Sequence, residues 1–182
     1  MDCWAAKGVA VALTALAVGV GCSNTVAGQA RRAPTGAGER GFGYADDRCG
    51  LLADSSIQQA LHADHVVRPY SGAVCQYVLS RPAQRPADGA EMVDVVFSWF
   101  ASGRLSRERE LARRRGAQLT DTLVERREAF LARRDVTGAA CAATAAADPG
   151  VLSWWVQFRD RADGDPCRDA ETLLSTTLQA EL

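Results

Sequence analysis

One of the six cysteines in this 182-residue chain carries the clearest chemistry. Cys22 closes the run Leu13-Thr-Ala-Leu-Ala-Val-Gly-Val-Gly-Cys22, directly behind the small residues Gly19-Val20-Gly21. A thiol in that position matches the lipobox of a bacterial lipoprotein signal peptide, in which the sulfur takes a diacylglycerol and the chain is cut before it. Lys7, the only lysine, precedes an uncharged stretch from Gly8 to Val20, which has the length of a signal h-region. That stretch is short of the ~20 residues needed to span a bilayer. Gly19 stands where leucine is usual, and Asp2 weakens the positive leader. Cys22 is nevertheless the expected lipidation site. The two or three acyl chains of a processed lipoprotein, palmitate among them, anchor stably at about 0.8 kcal/mol per buried methylene.

Cys3 leaves with the leader, so Cys49, Cys75, Cys141 and Cys167 remain. Four thiols in an exported domain predict two disulfides with three possible connectivities. The pairs Cys49–Cys75 and Cys141–Cys167 are preferred, because each joins the start of a helix to a nearby strand and both are separated by 26 residues. A four-cysteine metal site would require CxxC-type pairs, which this sequence lacks.

Other reactive types are sparse. His62 and His65, three apart, read as exposed residues at the end of a first helix, since zinc needs a third ligand and Asp64 would point elsewhere. Asp163-Gly164-Asp165 lacks the further acids of a calcium loop and reads as a polar turn. No Gly-x-Ser-x-Gly elbow occurs. The sequence therefore predicts no catalytic residue, no metal site and no cofactor. The formal net charge of -1 argues against a nucleic-acid binder.

Binding is better served. Arg104, Arg107, Arg113, Arg114 and Arg115 gather on and around a second helix, with Glu108 and Glu110 interspersed. Such a face could meet anionic headgroups or an anionic envelope lipid or glycan. Trp154 and Trp155 are adjacent, so on a strand they face opposite sides, one toward a core and the other toward a cover or groove. The candidate ligand or partner surface comprises Trp99, Trp155, Phe158, Arg104, Arg107, Arg113 and Arg114.

These residues must be positioned by a domain that starts near Asp47. Before it, residues 22–46 form an aperiodic tether rich in Gly, Ala, Pro and Arg, preceded by the leader over 1–21. Residues 47–182 suffice for one domain and not for two. Asp54 caps a helix over Ser55–Ala63, and Val74–Leu79 reads as a strand. Met92–Phe100 is the strongest strand, with Val93, Val95, Phe97 and Trp99 on one face and Val96 and Phe100 on the other, which predicts a central position. Ser106 opens a polar helix through Arg115. Strands follow over Asp121–Glu125, Ala129–Arg134, Gly138–Ala145 and Val151–Arg159. Pro166 begins a last helix through Ala180, with Ala170, Leu173, Leu174, Thr177 and Leu178 at helical spacing. The fold class is α+β, an antiparallel sheet covered by helices.

Asp47-Arg48-Cys49-Gly-Leu-Leu-Ala-Asp54, Cys75-Gln76-Tyr77, Phe97-Ser98-Trp99-Phe100 with Ser106-Arg107-Glu108-Arg109-Glu110, and Asp165-Pro166-Cys167 resemble the mycobacterial LprB/LprC-type lipoproteins. The resemblance covers nearly all of the mature domain. It implies a curved antiparallel sheet between helices, of the PsbP/Mog1 sandwich type, together with envelope localisation. It carries over no catalytic residues. The predominance of arginine and alanine fits a high-GC, actinobacterial genome.

The expected protein is thus a monomeric, membrane-anchored lipoprotein on the extracytoplasmic face, a non-catalytic module meeting an envelope lipid, glycan or membrane protein. A carrier of an amphipathic ligand is the alternative, with a cavity lined by Phe97, Trp99, Trp155 and Phe158. An envelope hydrolase is a third reading. A carrier requires a cavity of several hundred Å³, a docking module an exposed apolar patch, and an enzyme a cleft of ionisable groups with shifted pKa values.

Overall fold

Alternation of apolar and polar side chains along the strands builds one sheet with two unlike faces. The structure, a computed structural model, describes residues 49, 51–82, 89–159 and 164–180. The leader at 1–21, the lipidation at Cys22, the tether at 22–46 and the domain start at 47 lie outside the described residues. All described residues belong to one compact unit, Gly38–Leu182. The elements in order are α1 (Asp54–Ala60), β1 (His65–Ser71), β2 (Val74–Arg81), β3 (Glu91–Phe100), α2 (Leu105–Arg114), β4 (Gln118–Val124), β5 (Arg127–Arg133), β6 (Ala140–Ala146), β7 (Val151–Phe158) and α3 (Pro166–Ala180). The strands form an open, wholly antiparallel sheet in the order β1-β2-β3-β7-β6-β5-β4. This is the α+β architecture expected from the sequence.

The predicted central strand is central, since β3 lies between β2 and β7. Its register places Phe97 opposite Trp154, Val95 opposite Val156, Val93 opposite Phe158 and Trp99 opposite Leu152. Cys75, Tyr77 and Leu79 extend the same face across β2. All of these side chains are buried, and together they form the inner face. The Trp154 ring lies 4.8 Å from Phe97 and 5.9 Å from Tyr77, centroid to centroid, in the tilted arrangement that aromatic pairs prefer.

Helix α3 covers this face because Ala170, Leu173, Leu174, Thr177 and Leu178 fall on one side of it, and all five are buried. It packs on β6 and β7, and α1 packs on α3 and β1. The indole N–H of Trp154 donates to Thr177 Oγ1 at 2.8 Å, so the largest buried ring leaves no polar atom unsatisfied.

Both disulfides fasten this same layer. Cys49, just before α1, is joined to Cys75 on β2, and Cys167 in the first turn of α3 is joined to Cys141 on β6. These are the preferred pairings. At a separation of 26 residues, each stabilises by roughly 3 kcal/mol through loop entropy.

The structure departs from the sequence reading at the edges of elements. Strand β1 was not expected, because His65, Arg68 and Pro69 give it no clean alternation; it is an edge strand pairing only with β2, with an irregular register between Val67 and Tyr70. Helix α1 ends at Ala60, and its N-cap is Ala53, so Asp54 is the first helical residue instead of the cap. Its carboxylate is used otherwise, in an ion pair with Arg68 of β1. Helix α2 begins one residue before Ser106, with Arg104 at the N-cap and no side-chain cap.

Candidate functional site

The outer face of the sheet carries the side chains that alternate with the core. Val96, Ser98 and Phe100 of β3 stand beside Trp155 and Ser153 of β7, which stand beside Ala142 and Thr144 of β6. Small and polar residues predominate, and Thr144 and Ser153 hydrogen-bond across the strands at 2.8 Å. This face cannot fill itself as the inner one does.

Its cover is α2, whose composition sets how closely it can approach. The helix has no buried residue. It packs chiefly on β4, β5 and β6. There Arg109 pairs with Asp121 of β4, and its guanidinium lies 5.4 Å from the centre of the buried Phe130 ring of β5. On the β3–β7 side a groove of about 640 Å³ remains beneath α2. Trp155, Phe100, Val96 and Leu111 supply its apolar surface, and Ser98, Ser153, Thr144 and Ala142 its small floor. A second, polar concavity of about 550 Å³ adjoins it, lined by Ser102, Arg104, Ser106 and Arg107. The two share Ser102 and Arg107.

Charge around the groove is uneven. Arg107, Leu111 and Arg115 succeed one another every four residues and so form one stripe along α2 and its C-cap, and all three line the groove with Glu108. Arg113 and Arg114 are both paired with Glu110, at 2.7 and 2.8 Å, which holds its carboxyl below the usual range, Arg114 contributing most. Arg104, Arg107 and Arg115 have no ion pair among the described residues.

The residues proposed from sequence therefore divide. Trp155, Arg104 and Arg107 come together at the groove and its polar end. Arg113 and Arg114 lie on the same helix but are spent on Glu110. Trp99 and Phe158 move from the candidate surface into the core, 6% and 0% exposed, because their positions on β3 and β7 alternate with those of the outer face. Phe97, Trp99 and Phe158 thus lie on the opposite face of the sheet from Trp155. Of the adjacent tryptophans, Trp154 is core and Trp155 is half-buried in the groove. Sequence reading missed the small floor and Leu111; only Ser153, between the buried Leu152 and Trp154, carried a sign of it, because on β6 Ala142 and Thr144 alternate with residues as small as themselves.

The other candidates lie away from the groove. His62 lies in a turn at φ 53° and His65 opens β1, so the two do not share a helix face, and both are exposed. Asp163 lies outside the described residues. Asp165 Oδ1 accepts the Cys167 N–H at 3.0 Å and pairs with Arg133 at 3.3 Å, which ties down the start of α3. No group of His, Cys, Asp and Glu that could hold a metal occurs among the described residues. Besides Glu110, the shifted groups among the described residues are Glu125, lowered by hydrogen bonds from Ser175 and Gln179, Asp135, lowered by Arg133 and the Ala140 N–H, and Arg133, raised chiefly by Asp135. None of these lines the groove. Among the described residues no helix is long and apolar enough to cross a membrane.

The sequence pattern of a family described as "Protein of unknown function (DUF3558)" matches residues 17–180. No curated protein and no solved structure matches the chain.

Proposed function

We propose, from the premise that the chain belongs to this family of proteins of unknown function, that it is a lipid-anchored envelope protein whose domain is a non-catalytic binding module. The groove between α2 and the outer sheet face is its binding site. The observation that carries the reading is the contrast in cover: the inner face is packed and stapled, whereas a groove of about 640 Å³ persists under α2. That volume lies within the ordinary range for small-molecule sites, roughly 300–1,000 Å³. A partly exposed tryptophan over a floor of small side chains gives apolar contact area with room above it.

Anchoring on the extracytoplasmic face through Cys22 is part of the same proposal. It is supported by the lipobox spacing and by a family match that reaches back to residue 17, so that it includes Gly19–Cys22. Two intramolecular disulfides fit an oxidising compartment. Kinship with the LprB/LprC-type lipoproteins also belongs to the proposal and rests on the segments that resemble them. A carrier role is favoured over protein docking by one observation, the groove itself, since a docking module would present a filled, flat apolar patch.

The test is native mass spectrometry of the exported Cys22→Ser chain beside its Ser98→Phe variant, which plugs the groove. A small-molecule adduct held by the first and lost by the second is the expected result. The same adduct, or none, on both proteins contradicts the groove as the site. Continued partition of Cys22→Ser into the detergent phase contradicts the anchor.

A further inference from the structure

We propose that the groove takes one anionic phospholipid from the membrane, its phosphate among Arg104, Arg107 and Arg115 and an acyl chain over Trp155 and Phe100. The proposal rests on reading the groove as the binding site and adds the class of ligand. Charge complementarity argues for it. Of the arginines on and around α2, Arg109, Arg113 and Arg114 have carboxylate partners, whereas the three that face the groove or its polar end have none among the described residues. Glu108 is the single acid in the lining. An uncharged apolar ligand would leave these cations facing it without a counter-charge. A wholly hydrophilic anion would leave Trp155, Phe100 and Leu111 uncovered.

The layout is that of an amphiphile. The polar concavity with Arg104 and the apolar groove with Trp155 are contiguous through Ser102 and Arg107. A phosphate, with its several acceptor oxygens, satisfies arginines approaching from separate positions better than a carboxylate does, which is matched by one bidentate partner. The groove is open to solvent, so a lipid enters from its side with one chain and keeps the other outside.

The experiment measures lipid carried by the exported Cys22→Ser chain after incubation with phosphatidylcholine vesicles. The vesicles contain either fluorescent-chain phosphatidylglycerol or fluorescent-chain phosphatidylcholine. Carriage of phosphatidylglycerol is expected to exceed that of phosphatidylcholine by about tenfold or more. The triple variant Arg104→Gln, Arg107→Gln, Arg115→Gln changes only exposed side chains, and it should fall to the phosphatidylcholine level with its melting temperature unchanged. Equal carriage of the two lipids by the parent chain, or undiminished phosphatidylglycerol carriage by the triple variant, overturns the proposal. Competition by free palmitate as strong as that by phosphatidylglycerol also overturns it, in favour of a fatty acid. Ser98→Phe, with Ala142→Leu as a second plug from the neighbouring strand, should lower carriage of every lipid. If the plugs abolish carriage but no headgroup preference exists, only the ligand class fails. If the plugs change nothing for any probe, the reading of the groove fails with it.

Discussion

The two faces of the sheet are made by the same strands, yet one is a core and the other a groove. Trp154 and Trp155 show the difference at its sharpest. The first is 1% exposed, packed at a tilt against Phe97 and hydrogen-bonded to Thr177 of α3. The second is half-buried beneath α2, among Ser153, Thr144 and Ala142. Strand pairing treats both alike, so the covering helices decide. Helix α3 offers leucines and is joined to β6 by a disulfide, whereas α2 offers arginines and is held on the sheet through Arg109. An apolar helix closes a sheet face, and a charged one props it open.

The comparison can be broken most readily at the tryptophans. Trp154→Ala should cost about 3–5 kcal/mol in chemical denaturation, through lost burial and the cavity left behind. Trp155→Ala should cost under about 2 kcal/mol, because its site is already open. Comparable losses for the two would mean that the outer face is packed as tightly as the inner one. The disulfides come next. Replacing Cys141 and Cys167 together by Ala should cost about 3 kcal/mol and speed amide exchange in α3 more than in α2. Thr177→Val leaves the Trp154 N–H buried without its acceptor, and about 1–2 kcal/mol should be lost.

Arg109→Ala sharpens the comparison from the other face. It removes an exposed ion pair and a cation–π contact, so global stability should fall by only about 0.5–1 kcal/mol. Amide exchange in α2 should nonetheless accelerate while that in α3 does not. The smallest effect concerns acid. Arg133 and the Ala140 N–H hold the Asp135 carboxyl below its ordinary value. A carboxyl whose pKa is lower folded than unfolded stabilises fully above about pH 4 and loses that contribution as pH falls through the folded value. Asp135→Asn should therefore flatten the acid slope of stability slightly, with solvent screening keeping the change small.

The inner face was legible because its signs are strong and local. The β3 alternation and the spacing of Ala170, Leu173, Leu174, Thr177 and Leu178 follow from a period, the number of disulfides from the even cysteine count, and their pairing from the placement of each pair between a helix start and a nearby strand. Strand β1 was not legible, since an edge strand pairs on one side and tolerates Pro69 and Arg68. The groove was half legible. The arginine cluster and one tryptophan of the adjacent pair announced it, but its floor of Ser, Thr and Ala has no composition that distinguishes a cavity from a loop. Assigning Trp99 and Phe158 to the same surface failed because which face of a strand lies inward depends on register with neighbours far away in the chain.

Native-state thiol labelling at position 98 addresses the open groove most directly. In the Cys22→Ser background, a cysteine introduced as Ser98→Cys should react readily with a maleimide while the protein is folded. Its inner-face counterpart, Ala143→Cys, should react only on unfolding. Vesicles containing phosphatidylglycerol should protect the first. Equal resistance of both positions in the folded protein would contradict the groove and, with it, the binding function proposed for this face.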